Sequence, residues 1–485
     1  MTSGTHKMCH FLLLQALPLL LLLHLVPHNI SALSSNSNTR RQHRLSPSAW
    51  TIPRFTKFGA LSNLEFLSND SDRASSSPLL TSESEDNTVK VATTAVGLNF
   101  ADVFTILGYY KAANLVRGGK LDAFVPGIEF AGYLLEDVAG DPAAGIPTSL
   151  KRGEEVFGFV RFGSYADIVS CRPEHLRKLP RGWSSEEGAA FLVNALTAWY
   201  GLINVGGMPG VEEISRRESP YVVIVHSASG GVGLWASEIA ARRGASVVGV
   251  VGSDVKIETF MDRMKPICPS AQCIVRSDNA ETFEKDLVRA CKAAREKASA
   301  LNSIYKESGN DSMPVPKTCL DAAEAGLGAD LVMECYGGKF FRPSLNIINA
   351  GGSLATYGST TYNGDGGERM PLYSLIWKFL TRPRVDPGEL TSRNIRVGGF
   401  NLIFLTENTK LLTQALDACV KCLSGSANDD GATFDEMMKC ITPPLVGARF
   451  DFDDGAIEAL KSLRSGKTVG KVVLSNAKNP ALPAR

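Results

Sequence analysis

The sequence predicts an α/β protein of two parts, a compact β-rich domain and a doubly wound parallel sheet. Three observations predict it. Short strand-like runs broken by Gly and Pro turns fill the first half up to about Ser184. Beyond that point continuous apolar runs alternate with segments of helical period, the pattern of parallel strands covered on both faces. A turn of small residues, "VVIVHSASGGVG" from Val222 to Gly233, joins the first such run to its helix. A chain of 485 residues also exceeds what one hydrophobic core organises, so at least two domains are expected.

The first residues read as a leader. Lys7, the apolar run "FLLLQALPLLLLLHLV" and Ala32 as a cleavage position give a signal peptide over 1–32, and the run is short for a membrane span. Residues 33–50, within the Ser/Arg-rich and acid-free "SSNSNTRRQHRLSPSAWTIPRF", have the composition of a transit peptide. Together they resemble the bipartite leaders that direct proteins to complex plastids; ER or secretory targeting is the alternative left open. The first 64 residues hold six basic side chains and no acids, which leaves 45 basic against 50 acidic groups, a body of charge −5. That balance gives no support for nucleic-acid binding. Nine of the ten cysteines lie beyond the leader, singly in apolar or helix-like runs, so free thiols are expected. Cys419 and Cys422 have helical spacing without a second pair, the mark of a helix face rather than a metal or redox site. Sequons at Asn69 and Asn310 matter only in the ER lumen.

In chain order, "TVKVATTAVGLNF", "PGIEFAGYLLEDVA", "EEVFGFV" and "SYADIVSC" are strands of the β-rich part, residues 51–194. A Ser cap, acids in the first turn and helical spacing mark "SSEEGAAFLVNALTAWYGLINV" as the helix leading into the second region, residues 195–402. There "YVVIVH", "ASVVGVV", "QCIVR", "ADLVMECYG" and "GSLATYG" are strands, with helices through "WASEIAARRG" and "KIETFMDRM", a long polar helix after "QCIVR" and another helix after "ADLVMECYG". The polar segment from about 291 to 327 is too long for one crossover and reads as a solvated surface insertion. Residues 403–485, with the amphipathic "TKLLTQALDACVKCL" and a last strand "GKVVLSN", are expected to return to the first domain.

Ala228, Gly230 and Gly233 fill an A-x-G-x-x-G pattern, so the backbone of Ala228, Ser229, Gly230, Gly231, Val232 and Gly233 is expected to approach a pyrophosphate. Nineteen residues after Gly233, where an NAD-specific site carries an acid, stands Gly252, followed by Ser253 and, one helical turn on, Lys256. Ser253 can donate to a 2′-phosphate, Lys256 can neutralise it and Arg276 can cover the adenine side. Asp254 opposes this. NADPH is expected over NADH.

With these motifs in place, the chain resembles the medium-chain dehydrogenase/reductase superfamily, in its zinc-independent quinone oxidoreductase branch, over nearly everything after about Trp50. "VGLNFADVFTILGYY", "VPGIEFAG", "LVNALTAWYGL", "HSASGGVG", "GADLVMECYGG" and "TVGKVVL" carry the resemblance; "FLVNALTAWYGL" and "IRVGGFNLIFL" point to its VAT-1-like group. The resemblance implies a GroES-like catalytic domain, a Rossmann domain and a homodimer. Zinc ligands of metal-dependent relatives correspond here to Asn99, Ile128 before Glu129, and Asn194, none of them suited to the metal, so no zinc is expected. Hydride transfer to a quinone or an α,β-unsaturated carbonyl fits such a pocket better than alcohol oxidation. By resemblance, Asn99 and Tyr110 line the reaction site, Tyr110 donating to the developing oxyanion, while Asp102 supports the loop. Thr197 contacts the cofactor and Phe400 in "GGF" brings backbone to the carboxamide end. Phe104 stands where some quinone oxidoreductases carry Tyr. Glu129 reads as a buried structural carboxylate and His226 as a turn cap. The alternative is a nucleotide-binding, weakly catalytic protein used for interaction.

Overall fold

The structure, a computed structural model, describes residues 48–52, 59–67, 87–116, 124–146, 148–301, 316–363, 372–425, 431–479 and 481–482. The leader up to residue 47 and both sequons lie outside the described residues. One compact unit spans Ser46–Arg485.

Strands β1 (Ala49–Thr51), β2 (Glu65–Leu67), β3 (Val89–Gly97), β4 (Glu129–Leu134), β5 (Glu155–Phe159), β6 (Ile168–Cys171) and β7 (Leu176–Lys178) belong to the first domain. The second holds β8 (Val222–His226), β9 (Ser246–Val251), β10 (Gln272–Val275), β11 (Ala329–Glu334), β12 (Ile348–Thr356) and β13 (Arg396–Gly399). The chain then returns with β14 (Val446–Asp451) and β15 (Lys471–Ser475). The first sheet runs β14-β15-β3-β4-β5-β7, with β6 also paired to β3; all pairs but β14 with β15 are antiparallel. The second runs β10-β9-β8-β11-β12-β13, parallel throughout. Its order reverses between β8 and β11, and a crevice outside the strand ends at such a point is where ligands of these sheets sit.

Alternation of side chains explains why these strands are apolar without interruption. Val223 and Val225 of β8 enter one core together with Val247, Leu331 and Met333, while Val222 and Ile224 enter the opposite one with Val248, Val250 and Val332. Both faces are buried, so the few polar side chains in these strands, among them His226, Asp330 and Glu334, are hydrogen-bonded.

Three boundaries differ from the sequence-based expectation. The folded body begins before residue 51: Ala49–Thr51 pairs with Glu65–Leu67, and the Trp50 indole donates to the Phe452 carbonyl at 2.5 Å. The expected insertion does not begin at residue 291, because one helix runs Ala280–Leu301 and buries Phe283, Leu287, Cys291, Ala294 and Arg295. Arg295 donates to Asp330 at 3.1 Å and to the carbonyl of Gly328 at 2.8 Å, so its charge is a packed crosslink rather than solvated decoration. Residues 302–315 of that expected insertion lie outside the described residues. The helix Thr409–Ser424 does not return to the first domain; Leu412, Leu416, Cys419 and Val420 pack with Ala195, Leu234 and Trp235 in the core of the second. The return happens at β14.

Helix Ser185–Gly188 starts as expected, with Ser184 Oγ accepting from the Glu187 N–H and the Glu187 carboxylate from the Ser184 N–H. It breaks, resumes over Leu192–Trp199 and ends in a wider π-type turn, Tyr200–Val205. The stretch Ser185–Val205 is long and apolar enough to cross a membrane, but most of it is buried inside the fold, where it joins the two domains. None of the nine described cysteines is in a disulfide; Cys419 is buried and Cys422 half-buried on one helix.

Candidate functional site

β8 delivers the chain to the small-residue turn. Ser227 takes φ +52°, Gly230 N–H closes on the Ser227 carbonyl at 2.8 Å, and the helix Gly231–Arg242 begins at once. Gly233 is required by contact: a Cβ there would stand 2.1 Å from Ser227 O and 2.7 Å from Ala228 Cα. Ala228 and Ser229 are buried beneath the turn, while Gly230, Gly231 and Val232 are half-buried at its rim. The first N–H groups of such a helix have no intrahelical partner, which suits a pyrophosphate.

The expected 2′-phosphate residues divide. Ser253 is half-buried just past β9, beside an exposed Asp254. Lys256 is set differently from expectation: it is 6% exposed, and its ammonium donates to the carbonyls of Gly466 at 2.6 Å and Thr468 at 2.7 Å. Burial, then the charge of Arg276, lowers its pKa. Arg276 has the uncommitted donors. Its guanidinium carbon lies 3.5 Å from the Tyr336 ring centroid and 4.8 Å from that of Phe340, and Nε and Nη1 are buried without a hydrogen-bond partner. Burial lowers its pKa as well. His226 does not cap the turn: Nε2 lies 2.8 Å from Ser344 Oγ across the core, and burial, then Arg276, pushes its pKa down to about 3, so the ring is neutral.

At the other end of the cleft, Asn99 precedes the helix Phe100–Ile106 and its N–H donates to Asp102 Oδ2 at 2.7 Å. Asp102 is fully buried, also accepts from Tyr165 at 3.3 Å, and is pushed up to about pKa 7 chiefly by burial. That geometry is a loop support, as expected. Glu129 is a buried structural carboxylate, accepting from Val193 N–H at 3.0 Å and from Lys471 at 2.7 Å. The same Lys471 ammonium reaches Asn99 Oδ1 at 2.8 Å. Lys471 is absent from the sequence-based site although it stands inside "TVGKVVL"; only the fold brings β15 beside β3.

Tyr110 donates its hydroxyl to Asn401 Oδ1 at 2.9 Å, across the two domains, and its ring meets Phe162 edge-on at 6.2 Å. Burial raises its pKa to about 12, so it remains a donor. Asn401, the residue after "GGF", is a second one that sequence reasoning missed. The Phe104 carbonyl accepts from the N–H groups of Tyr109 and Tyr110 at 2.8 and 3.1 Å and so shapes this loop. Phe400 N–H is fixed to the Thr356 carbonyl at 3.1 Å, with its ring 5.2 Å from that of Tyr200. Thr197 donates to the Val193 carbonyl at 2.6 Å, which leaves its hydroxyl oxygen able only to accept.

These residues do not fit a catalytic zinc. Asn99 Oδ1 faces an ammonium that would repel a cation, Asn194 offers only a neutral amide oxygen, and Ile128 has no donor atom.

The two sheets give the chain the fold of solved quinone oxidoreductases and enoyl reductases. Among proteins similar to this chain, the mouse synaptic vesicle membrane protein VAT-1 homolog-like is 22% identical over 406 residues, covering 82% of this chain and 77% of that protein. The quinone oxidoreductase from Thermus thermophilus, solved also in complex with NADPH, aligns with a TM-score of 0.53 and 22% identity over 88% of this chain and 100% of its own. The CurK enoyl reductase aligns with a TM-score of 0.56 and 19% identity over 88% and 99%. No family model matches the chain.

Proposed function

We propose that this chain is a zinc-independent oxidoreductase that delivers hydride from NADPH to a quinone or an α,β-unsaturated carbonyl. One observation carries the reading: a turn too tight for a side chain at Gly233 opens a helix N-terminus suited to pyrophosphate, while Arg276 keeps Nε and Nη1 buried without a hydrogen-bond partner, and the described residues hold no metal-ligand set. The relatives described above, a quinone oxidoreductase solved with NADPH and an enoyl reductase, support both halves of it. Bound NADPH supplies the hydride. The backbone of Gly230 to Gly233 would receive its pyrophosphate and Arg276 its 2′-phosphate. Asn99 and Tyr110 would line the acceptor site, Tyr110 giving its O–H to the oxygen that gains charge once it releases Asn401; such an acceptor needs placement and hydrogen bonds more than a Lewis acid. Full-length protein is expected to oxidise NADPH with at least one quinone or enone; stoichiometric catalytic zinc in the active protein would refute it.

A second reading, a cofactor-binding protein with weak turnover, has one observation in its favour: the Tyr110 proton is already given to Asn401. Tight NADPH binding with no turnover across a broad acceptor panel would select it.

A further inference from the structure

The segment from Gly466 to Lys471 touches both ends of the cleft. Its carbonyls at Gly466 and Thr468 hold Lys256, and Gly470 N–H donates to the Ser229 carbonyl at 2.8 Å, beside Gly230 of the cofactor turn. Gly470 permits this approach: its φ is +55°, and a Cβ there would stand 2.1 Å from the Leu445 carbonyl oxygen. The next residue sends its side chain the other way. Lys471 passes Gly97, where a Cβ would come within 3.0 Å of the lysine Cε, and ends between Glu129 Oε2 at 2.7 Å and Asn99 Oδ1 at 2.8 Å.

An ammonium only donates, so Asn99 must turn its oxygen to Lys471. On the opposite side the Gly97 carbonyl only accepts, and it takes Asn99 Nδ2 at 3.1 Å. Both contacts demand the same amide orientation, in which Nδ2 also donates to the Glu129 carboxylate. The pair itself is costly: its side chains are 4% and 0% exposed, and a buried ion pair is commonly no more stabilising than apolar residues of the same volume. Stability therefore does not account for a lysine here; orientation of the amide does.

We infer that Lys471, with Glu129 as its counter-ion, is a positioning residue that fixes the Asn99 amide for reaction and ties it through Gly470 to the cofactor turn. The inference rests on the reductase reading above.

Lys471→Met alone would strand a buried carboxylate, so the informative variant of the full chain is Glu129→Gln with Lys471→Met, set against Glu129→Gln, in which Lys471 still reaches Asn99. The double variant is expected to melt close to the single one and to bind NADPH, followed by its fluorescence, within about threefold of it. Its kcat with a quinone falls about 30-fold below the single variant at similar acceptor KM, the signature of lost alignment. In its crystal structure the Asn99 amide has turned. Equal kcat in the two variants overturns the inference. Should the double variant not fold, Lys471→Arg keeps the charge but moves the donor, and it must show the same kcat loss with NADPH affinity retained. A native protein that turns over no quinone or enone refutes the reductase reading instead; the positioning role then stands or falls on whether the amide turns in the variant crystal.

Discussion

Two buried N–H groups of Arg276 without a partner leave a desolvated charge that an anion would satisfy. Lys256 is already held by two carbonyls, so under the proposed reading Arg276 is the group that would meet a 2′-phosphate. Arg276→Ala is expected to weaken NADPH binding by about tenfold or more while leaving NADH within about twofold, the worth of one charge-assisted hydrogen bond. Titration of cofactor fluorescence reads this, and equal losses for both cofactors would remove Arg276 from that role. Tyr110 is tested by comparison. Tyr110→Phe is expected to lower kcat by about 10- to 100-fold, as loss of an oxyanion donor does. Asn401→Ala, which frees the hydroxyl from its partner, should cost less in steady-state kinetics at saturating NADPH. If it costs as much, the cross-domain hydrogen bond and not the hydroxyl is what matters.

At the scale of elements, the cofactor turn is defined by what cannot be added to it. A methyl at Gly233 meets backbone on both sides, so Gly233→Ala must open the turn, with an expected loss of about 1–3 kcal/mol of stability and of cofactor affinity. Gly252→Ala meets nothing within 4 Å, and its melting temperature should match the native protein's, within about 0.5 kcal/mol of stability. Thermal melting of the pair checks the contrast. The strands of the parallel sheet were legible because burial on both faces leaves an unbroken apolar run. The helix Ala280–Leu301 was legible as a long polar helix but not in its packing: with a surface insertion expected from about 291, the buried Cys291 and Ala294 were read as decoration. Thr409–Ser424 was legible as a helix but not as a partner of Leu192–Trp199, since periodicity reports a buried face and not what covers it.

Across the whole molecule, buried ionisable groups make stability depend on pH. Asp102 and Glu334 are each raised to about pKa 7, first by burial, from 3.8 and 4.5. Between about pH 4 and 7 the unfolded chain has released these protons and the fold retains them, so this contribution falls as pH rises through the window. His175 and His226, lowered to about 3 by burial, act oppositely: between about pH 3 and 6.5 the unfolded chain binds the extra protons, and stability rises with pH. The two trends offset each other in the native protein, so a single substitution is needed to separate them. Asp102→Asn removes one falling contribution, and its melting temperature relative to the native protein should rise between pH 5 and pH 8, by roughly a degree or more. A difference independent of pH would show that Asp102 is ionised in the fold.

The sequence by itself determined the two sheets and the glycine turn between β8 and its helix; that Asn99, Ile128 and Asn194 stand at metal-ligand positions is what the resemblance implied. Sheets and turn follow from local rules: apolar periodicity and backbone clearance at Gly233. Tertiary structure alone decided which charges meet. Lys471 and Asn99 are 372 positions apart, Tyr110 and Asn401 are 291, and Lys256 is 210 from the carbonyl it holds. No periodicity links such positions. They are joined because β15 closes against β3, and because the two domains share a cleft in which a buried donor has to find its acceptor from whichever strand the fold brings near.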